Sequence, residues 1–523
     1  MKQVVVIIAV LGFLIFRPYA LHNSTILYSG DDQNYFAHAS AIAFGEFPDY
    51  QHEHYVWGGK IPLHSIGPGL MAAPFVSLFS FLDRWFGNAI IHFRTEQNIR
   101  GSWALFGFIF SSVFYFYGAC LLIFYALQRF VSRPAAVAAI FFSVLCQGVP
   151  LYAFRRPIYS HIYEFFLQCL MVAQFLIRSS NAELEKGRVI GFIESIGIGI
   201  FSGLIFLVRY NNLGFSIIWP LLFLPFYPGK SLISGKWKML FLAYLSSAIL
   251  IGLFLLYPWY INYCAGPNPP PILYGGVGDN MMENLIGSWG GIWQKLQSTP
   301  KLLLGIDWGL VWTAPFLLIG LYLALFSKYP LKSYLLIAAI PLLINFWVVL
   351  SWIPKWQQGN WYGYRFLIFS AIPIVIFPLS IFIDKVIKEK RLLLKVLLGF
   401  VSLFPFLSMM LFDGNSNSLT LSENHSVNHL YQLNVWKTAL FDFSGLMVAL
   451  VKGGPLYMAY LVSNLLHFDQ KLPQIVLEKY LSADLQLFIR TLLIYFFPII
   501  LWMSFSKNQS LRLGSHSPNK NNS

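Results

Sequence analysis

Apolar residues run along this chain in blocks of about 18 or more, each long enough to cross some 30 Å of hydrocarbon as a helix. The blocks lack the polar and apolar alternation of a membrane barrel, so the pattern predicts an all-α polytopic membrane protein. Twelve spans are expected, at about 4–21, 103–127, 135–152, 158–177, 190–208, 213–227, 239–257, 309–326, 334–352, 366–383, 393–412 and 486–505. The stretch 440–466 is apolar but broken by Lys452-Gly453-Gly454-Pro455. A re-entrant helix or a pair of spans there keeps the parity, and a single span does not.

The basic residues orient the bundle. Lys2 precedes the first span, and Arg129, Arg133, the 178–188 segment, the 229–238 segment, Lys328 to Lys332 and Asp384 to Lys395 then fall on one side at alternate connections. By the positive-inside rule that side is cytoplasmic, and both ends of the chain share it. The polar loops 22–101, 258–307 and 413–485 fall outside. Residues 4–16 have the look of a signal-peptide core, but no small-residue cleavage site follows, so a retained first span is expected. The tail 506–523 reads as disordered.

Composition narrows the class. Of 523 residues 57% are hydrophobic, 18% aromatic and only 11% charged, against about 25% charged in soluble domains. The formal charge of +14 sits mostly in short segments between spans, which suits anionic headgroups and orientation rather than nucleic acid. Cys120, Cys146, Cys169 and Cys264 show no paired or metal-ligand spacing.

Against this background the loop from Tyr28 to Pro74 carries most of the candidate chemistry. Asp31 and Asp32 open a helical-looking run, Gln33 to Phe44. An N-cap explains one acidic residue there; a carboxylate at the membrane edge can also take a proton from an incoming hydroxyl or amine. His52-Glu53-His54 is the alternative place for a divalent cation, although the spacing does not match a helical histidine pair, and no cofactor is implied. Lys60 and His64, in a Gly- and Pro-rich entry to an apolar helix, could meet a phosphate. On the outer side, Arg155, Arg156, Arg209, Lys355 and Arg365 stand at span ends against the positive-inside rule. Each either snorkels to lipid phosphate or binds an anion.

Together these stretches resemble the GT-C superfamily of membrane glycosyltransferases, namely the protein O-mannosyltransferase-like and aminoarabinose-transferase-like enzymes that use polyprenyl-phosphate sugars. The resemblance rests on Gly30-Asp31-Asp32-x-x-Tyr35, Pro62-Leu63-His64-x-Ile66-Gly67, Ile158-Tyr159-Ser160-His161, Gly309 to Pro315, and the segment from Trp356 through Trp361-Tyr362-Gly363-Tyr364-Arg365. It implies a GT-C-like bundle with amphipathic juxtamembrane helices in the first outer loop, and a catalytic module over 1–385. Beyond that module lie a C-terminal transmembrane region, 386–505, and the tail. By position it makes Asp31 the catalytic aspartate, with Asp32 beside it, and Arg365 an arginine near the donor phosphate. Arg155, Arg156, Arg209, Lys60 and His64 are further phosphate candidates, and Tyr35, His161, Tyr362, Tyr364 and Trp361 are substrate candidates. The implied partners are a polyprenyl-phosphate sugar donor, a glycan, lipid or protein acceptor, and membrane lipids. Outer-face chemistry is periplasmic in a bacterial inner membrane, the setting preferred here, and lumenal in an endoplasmic reticulum.

A lipid-linked sugar flippase is the main rival, and it calls for ionisable residues buried at mid-span. A surface polysaccharide polymerase or ligase is nearer, but concentrates function in one large loop between later spans.

Overall fold

A computed structural model describes residues 4–9, 30–48, 50, 62, 64–86, 102–182, 190–227, 235–263, 289–352, 362–412, 431–442, 488–496 and 498–499. Helices account for nearly all of them, and no strand occurs among the described residues. The protein is therefore an all-helical polytopic membrane protein. Six described helices are long and apolar enough to cross a membrane, and three shorter apolar helices accompany them.

In chain order the first long loop contributes α1 (Gly30–Ala43) and α2 (Gly67–Trp85). The bundle follows as α3 (Trp103–Leu127), α4 (Arg133–Ile140), α5 (His161–Ala182), α6 (Phe192–Val208), α7 (Leu213–Leu222) and α8 (Gly235–Ile251). After α9 (Tyr257–Tyr263) and α10 (Trp289–Leu304) come α11 (Leu310–Thr313), α12 (Pro315–Phe326), α13 (Lys332–Trp352), α14 (Arg365–Lys388), α15 (Leu392–Met410) and α16 (Tyr431–Phe441).

Three expected spans are shorter than their apolar runs, and the block expected at 309–326 divides at Ala314 into α11 and α12. The block expected at 213–227 gives a ten-residue α7 and then a 3-10 turn, Leu224–Phe226, because Pro225 supplies no N–H to continue the helix. The block expected at 135–152 breaks twice. α4 runs into a π turn, Phe141–Leu145, and a second π turn, Leu151–Arg155, follows Gly148, whose φ is +77°. The break is held from both sides. Gln147 accepts from the amide of Leu317 at 3.0 Å, and a Cβ at Gly148 would stand 2.7 Å from the ring of Tyr362. Only glycine suits that position on both counts.

α14 is the central post, packing against α4, α5, α12 and α13, while α3 packs between α2 and α5. One end of α14 carries Lys385 and Lys388, the other begins at Arg365, about 35 Å away by helix rise. At the lysine end Asp384 accepts from the amide and hydroxyl of Ser132, at 3.1 and 2.5 Å, and so ties the start of α4 to α14. That end collects the basic connections expected to face the cytoplasm.

In the first loop, α1 is more enclosed than an amphipathic surface helix. Every residue from Asn34 to Ala41 is buried, because α2 covers one side and α3 lies close by. α2 instead shows the two-faced character: Met71, Val76 and Phe79 are buried, whereas Leu78, Phe81 and Trp85 are open. Asp83 ends it by accepting from the amides of Trp103 and Ala104 at 2.7 and 2.8 Å, which caps α3.

Candidate functional site

Three of the expected phosphate-binding arginines meet at the Arg365 end of α14. Arg156 follows the second π turn, Arg209 leaves α6 in an extended conformation, and Arg365 is the first residue of α14. All three are buried, at 9%, 7% and 4% exposure. The guanidinium of Arg209 lies 3.8 Å from the centre of the Phe366 ring, and that of Arg365 lies 5.5 Å from the same ring and 4.9 Å from Tyr159. Arg156 stands 5.8 Å from the ring of Phe412. Arg156 and Arg365 are both within electrostatic reach of the Tyr152 hydroxyl. Buried like charges repel, and a bound anion relieves that repulsion with the forked donors of arginine.

The turn that presents Arg365 is pinned from the broken span. The hydroxyl of Tyr152 donates to the carbonyl of Tyr362 at 2.9 Å and accepts from its amide at 3.1 Å. Gly363, at a φ of +62°, then turns the chain into α14. Tyr362 itself is buried against Trp308 and Phe412 and donates to the Pro405 carbonyl at 3.2 Å. Tyr364 is likewise buried. Burial pushes both phenols above their ordinary range. Tyr362 and Tyr364, two of the three tyrosines expected to touch substrate, are thus buried where the chain enters α14.

Arg209 is held by a network that the sequence reading passed over. Its Nη1 donates to Nδ1 of His161 at 2.6 Å and lies 3.4 Å from Oε2 of Glu164, a residue with no exposed surface. Asn212 donates to the other Glu164 oxygen at 3.0 Å, Asn345 to Asn212 at 3.3 Å, and Asn211 to Asn345 at 2.7 Å. Asn345 also reaches the hydroxyl of Ser370 at 3.1 Å. α5, α13, α14 and the 3-10 turn Tyr210–Asn212 are thereby joined around one guanidinium. The signal was present in outline, since Glu164 and Gln168 are polar residues inside an apolar block. Lys295 on α10 was missed too; it lies 4.8 Å from the ring of Trp347.

The first loop reaches this cluster through its backbone. Ser65 donates to the carbonyl of Val208 at 2.7 Å, and a Cβ on Gly67 would stand 2.3 Å from the Val208 nitrogen, so the loop lies directly on the exit of α6. His64 sits beside Tyr35, ring centres 5.7 Å apart, and Tyr35 is within electrostatic reach of Tyr210. Asp31 and Asp32 lie in the first turn of α1, one turn before Tyr35. Their side chains, and that of Arg155, lie outside the described residues, as do Lys60, Trp361, Lys355 and the His52-Glu53-His54 triplet. His38 ties α1 to His64 and Tyr50. Its Nε2 donates to the His64 carbonyl at 2.9 Å, so its Nδ1 accepts from the Tyr50 hydroxyl at 2.6 Å. Burial lowers the His38 pKa to about 3. Among the described residues no three His, Cys, Asp or Glu side chains gather in a metal-binding group.

Fold and site define a helical membrane protein whose buried cations meet at one end of its central helix. No family model and no curated protein matches the chain. Among solved structures, it is similar to the Archaeoglobus fulgidus oligosaccharyltransferase in its apo form, at 16% identity and a TM-score of 0.39, covering 93% of this chain and 59% of that one. The archaeal oligosaccharyltransferase AglB from Archaeoglobus fulgidus, in complex with an inhibitory peptide and a dolichol-phosphate, is similar at 16% identity and a TM-score of 0.35, over 93% and 59% of the two chains. The same organism's enzyme tethered to an acceptor peptide gives 16% identity and 0.36, over 92% and 58%. The chain thus spans less than two thirds of these structures, and likenesses this remote fix neither substrate nor mechanism.

Proposed function

We propose that the protein is an integral membrane glycosyltransferase that moves a sugar from a polyprenyl-phosphate donor to a glycan, lipid or protein acceptor on the extracytoplasmic face. A bacterial inner membrane, with the site on the periplasmic side, is the setting the sequence resemblance favours. The observation that carries the reading is the buried convergence of Arg156, Arg209 and Arg365 at the end of the bundle to which the first loop is fastened. A sugar leaving a lipid phosphate releases a phosphate monoester, and guanidinium groups in a water-poor site stabilise the charge that develops there.

In the direct reaction Asp31 takes the proton of the acceptor hydroxyl or amine as that atom attacks the anomeric carbon. The bond from that carbon to the phosphate oxygen breaks, and its electron pair stays on the polyprenyl phosphate. Asp31 and Asp32 are successive residues of one helix, about 100° apart around its axis. That arrangement suits a single base and inversion better than a carboxyl pair across the sugar. A flippase is disfavoured by the gathering of His161, Glu164 and the three arginines at one end of the bundle.

The decisive experiment incubates the purified protein with a panel of polyprenyl-phosphate sugars and measures released polyprenyl phosphate. Release from at least one donor, abolished in Asp31→Asn with membrane insertion intact, is expected; turnover retained in that variant removes the base assignment. Cysteines placed at Ser29 and Asn415 should react with an impermeant thiol reagent from the outer side, and labelling only from the cytoplasm would reverse the orientation.

A further inference from the structure

The network around Arg209 has a direction. Asn211 donates to the Asn345 oxygen, Asn345 to the Asn212 oxygen, and Asn212 to Oε1 of Glu164. Each amide passes its N–H toward the next oxygen, so the chain of dipoles ends on the carboxylate. The second carboxylate oxygen takes Nη1 of Arg209. Both oxygens accept and neither donates, which is the pattern of an ionised carboxylate. Cooperative polarisation of such a chain strengthens each bond in it.

The consequence falls on His161. Arginine has no acceptor, so the 2.6 Å contact from Arg209 Nη1 obliges Nδ1 of His161 to be the unprotonated nitrogen. The imidazole is then neutral and carries its proton on Nε2. Its faces are closed by aromatic rings: Phe369 stacks at 5.1 Å between centres and Tyr159 at 6.1 Å, while Tyr152 and Phe366 meet it edge to face. Arg209, Arg365, Glu164, Tyr152 and Tyr159 are the ionisable groups around it, and two of these are cations.

We propose that Glu164 is a positioning residue: through Arg209 it locks His161 as a neutral Nε2–H donor toward the bound lipid phosphate. The ligand class rests on the glycosyltransferase reading; the locked tautomer does not. His161 is therefore a fixed hydrogen-bond donor and not a proton carrier, and proton transfer in the reaction belongs to another group. The arrangement also keeps Arg209 aimed, because its planar fork is held on Phe366 at one face and on two partners at its edge.

The test has two arms on the full-length protein. In lipid bilayers, nitrogen-15 spectra of histidine-labelled protein, with His161 assigned through His161→Gln, should show a protonated Nε2 and an unprotonated Nδ1 for His161. That pattern should be lost in Glu164→Gln, whose amide N–H would face the N–H of Arg209. A proton on Nδ1 in the wild type, or an unchanged pattern in the variant, overturns the proposal. In the second arm, binding of polyprenyl monophosphate should weaken at least tenfold in Glu164→Gln and in Arg209→Gln, with no further loss in the double variant. Glu164→Asp, which keeps the charge, should recover part of the affinity. Losses that multiply in the double variant also overturn the proposal. A wild type that binds no polyprenyl phosphate sinks the donor assignment and the lipid-phosphate role of His161 together, whereas a wrong tautomer with tight lipid binding sinks the positioning alone.

Discussion

The helices α14 and α15 are neighbours in sequence and alike in composition, yet 83% of the apolar stretch of α14 is buried and only 28% of that of α15. The helical run Gly235–Asn262 that α8 begins resembles α15, at 22%. On α8 the open residues Trp237, Phe241, Leu245 and Ile249 recur at every fourth position, the spacing of one helix face, while Leu240, Ala243 and Ser247 turn toward α6. In a membrane protein the lipid is as apolar as leucine, so hydrophobicity marks a span without saying whether protein or lipid surrounds it. The distinction lies in the polar residues. α14 opens with Arg365 and α5 with His161, Glu164 and Gln168, all buried, and every one of them meets a partner supplied by another segment of the chain. The open face of α15 carries only Lys395, near its first turn, beside Leu393, Val396, Leu397, Phe400 and Leu403.

The comparison is broken most directly at Glu164. Replacing it with leucine leaves the Arg209 charge without its carboxylate in a buried site, and breaking such a pair costs about 3–5 kcal/mol. A shift of the detergent unfolding midpoint by that amount is expected; a loss below about 1 kcal/mol would mean that the centre is no more dependent on polar pairing than the rim.

The next effect is on pH. His38, in the first loop, has its pKa lowered from 6.5 to about 3 by burial. The unfolded chain binds a proton there below pH 6.5 and the folded one does not, so the stabilisation is complete above pH 6.5. It declines by about 1.4 kcal/mol per unit as the pH falls from 6.5 toward 3. Protection of the first loop from proteolysis should fall over that window in the wild type and stay level in His38→Gln. A level profile in the wild type would show that loop to be uncoupled from the centre.

Much of the centre could be read from the chain because its cations violate an orientation rule. Arg156, Arg209 and Arg365 stand on the positive-poor side, and the structure brings these three together. Glu164 was harder to see, since one carboxylate near the start of an apolar block reads as a span end until its partners are placed. Those partners, Arg209 and Asn212, come from positions 45 and 48 residues further along. The break after Leu145 was harder to read: the run from Val137 to Tyr152 is apolar apart from Ser143 and Gln147, its Gly148 and Pro150 also suit a kinked span, and the turn at Gly148 is imposed by Tyr362 and α12. Pro225, by contrast, announced the early end of α7 in the sequence itself.

Smaller changes sharpen the boundary between the two regions. Asp83→Asn keeps the shape of the α3 cap, in which the two carboxylate oxygens accept from the Trp103 and Ala104 amides, but leaves one acceptor in place of two. It should cost about 1–2 kcal/mol. Leu397→Ala and Phe400→Ala, on the open face of α15, should change stability by less than about 0.5 kcal/mol, because in the membrane their side chains exchange lipid for lipid and create no cavity. The informative outcome is a loss of about 2 kcal/mol or more at Phe400, the size of a buried core truncation. It would show that protein covers this face of α15, and the contrast with α14 would then be one of missing neighbours and not of lipid exposure.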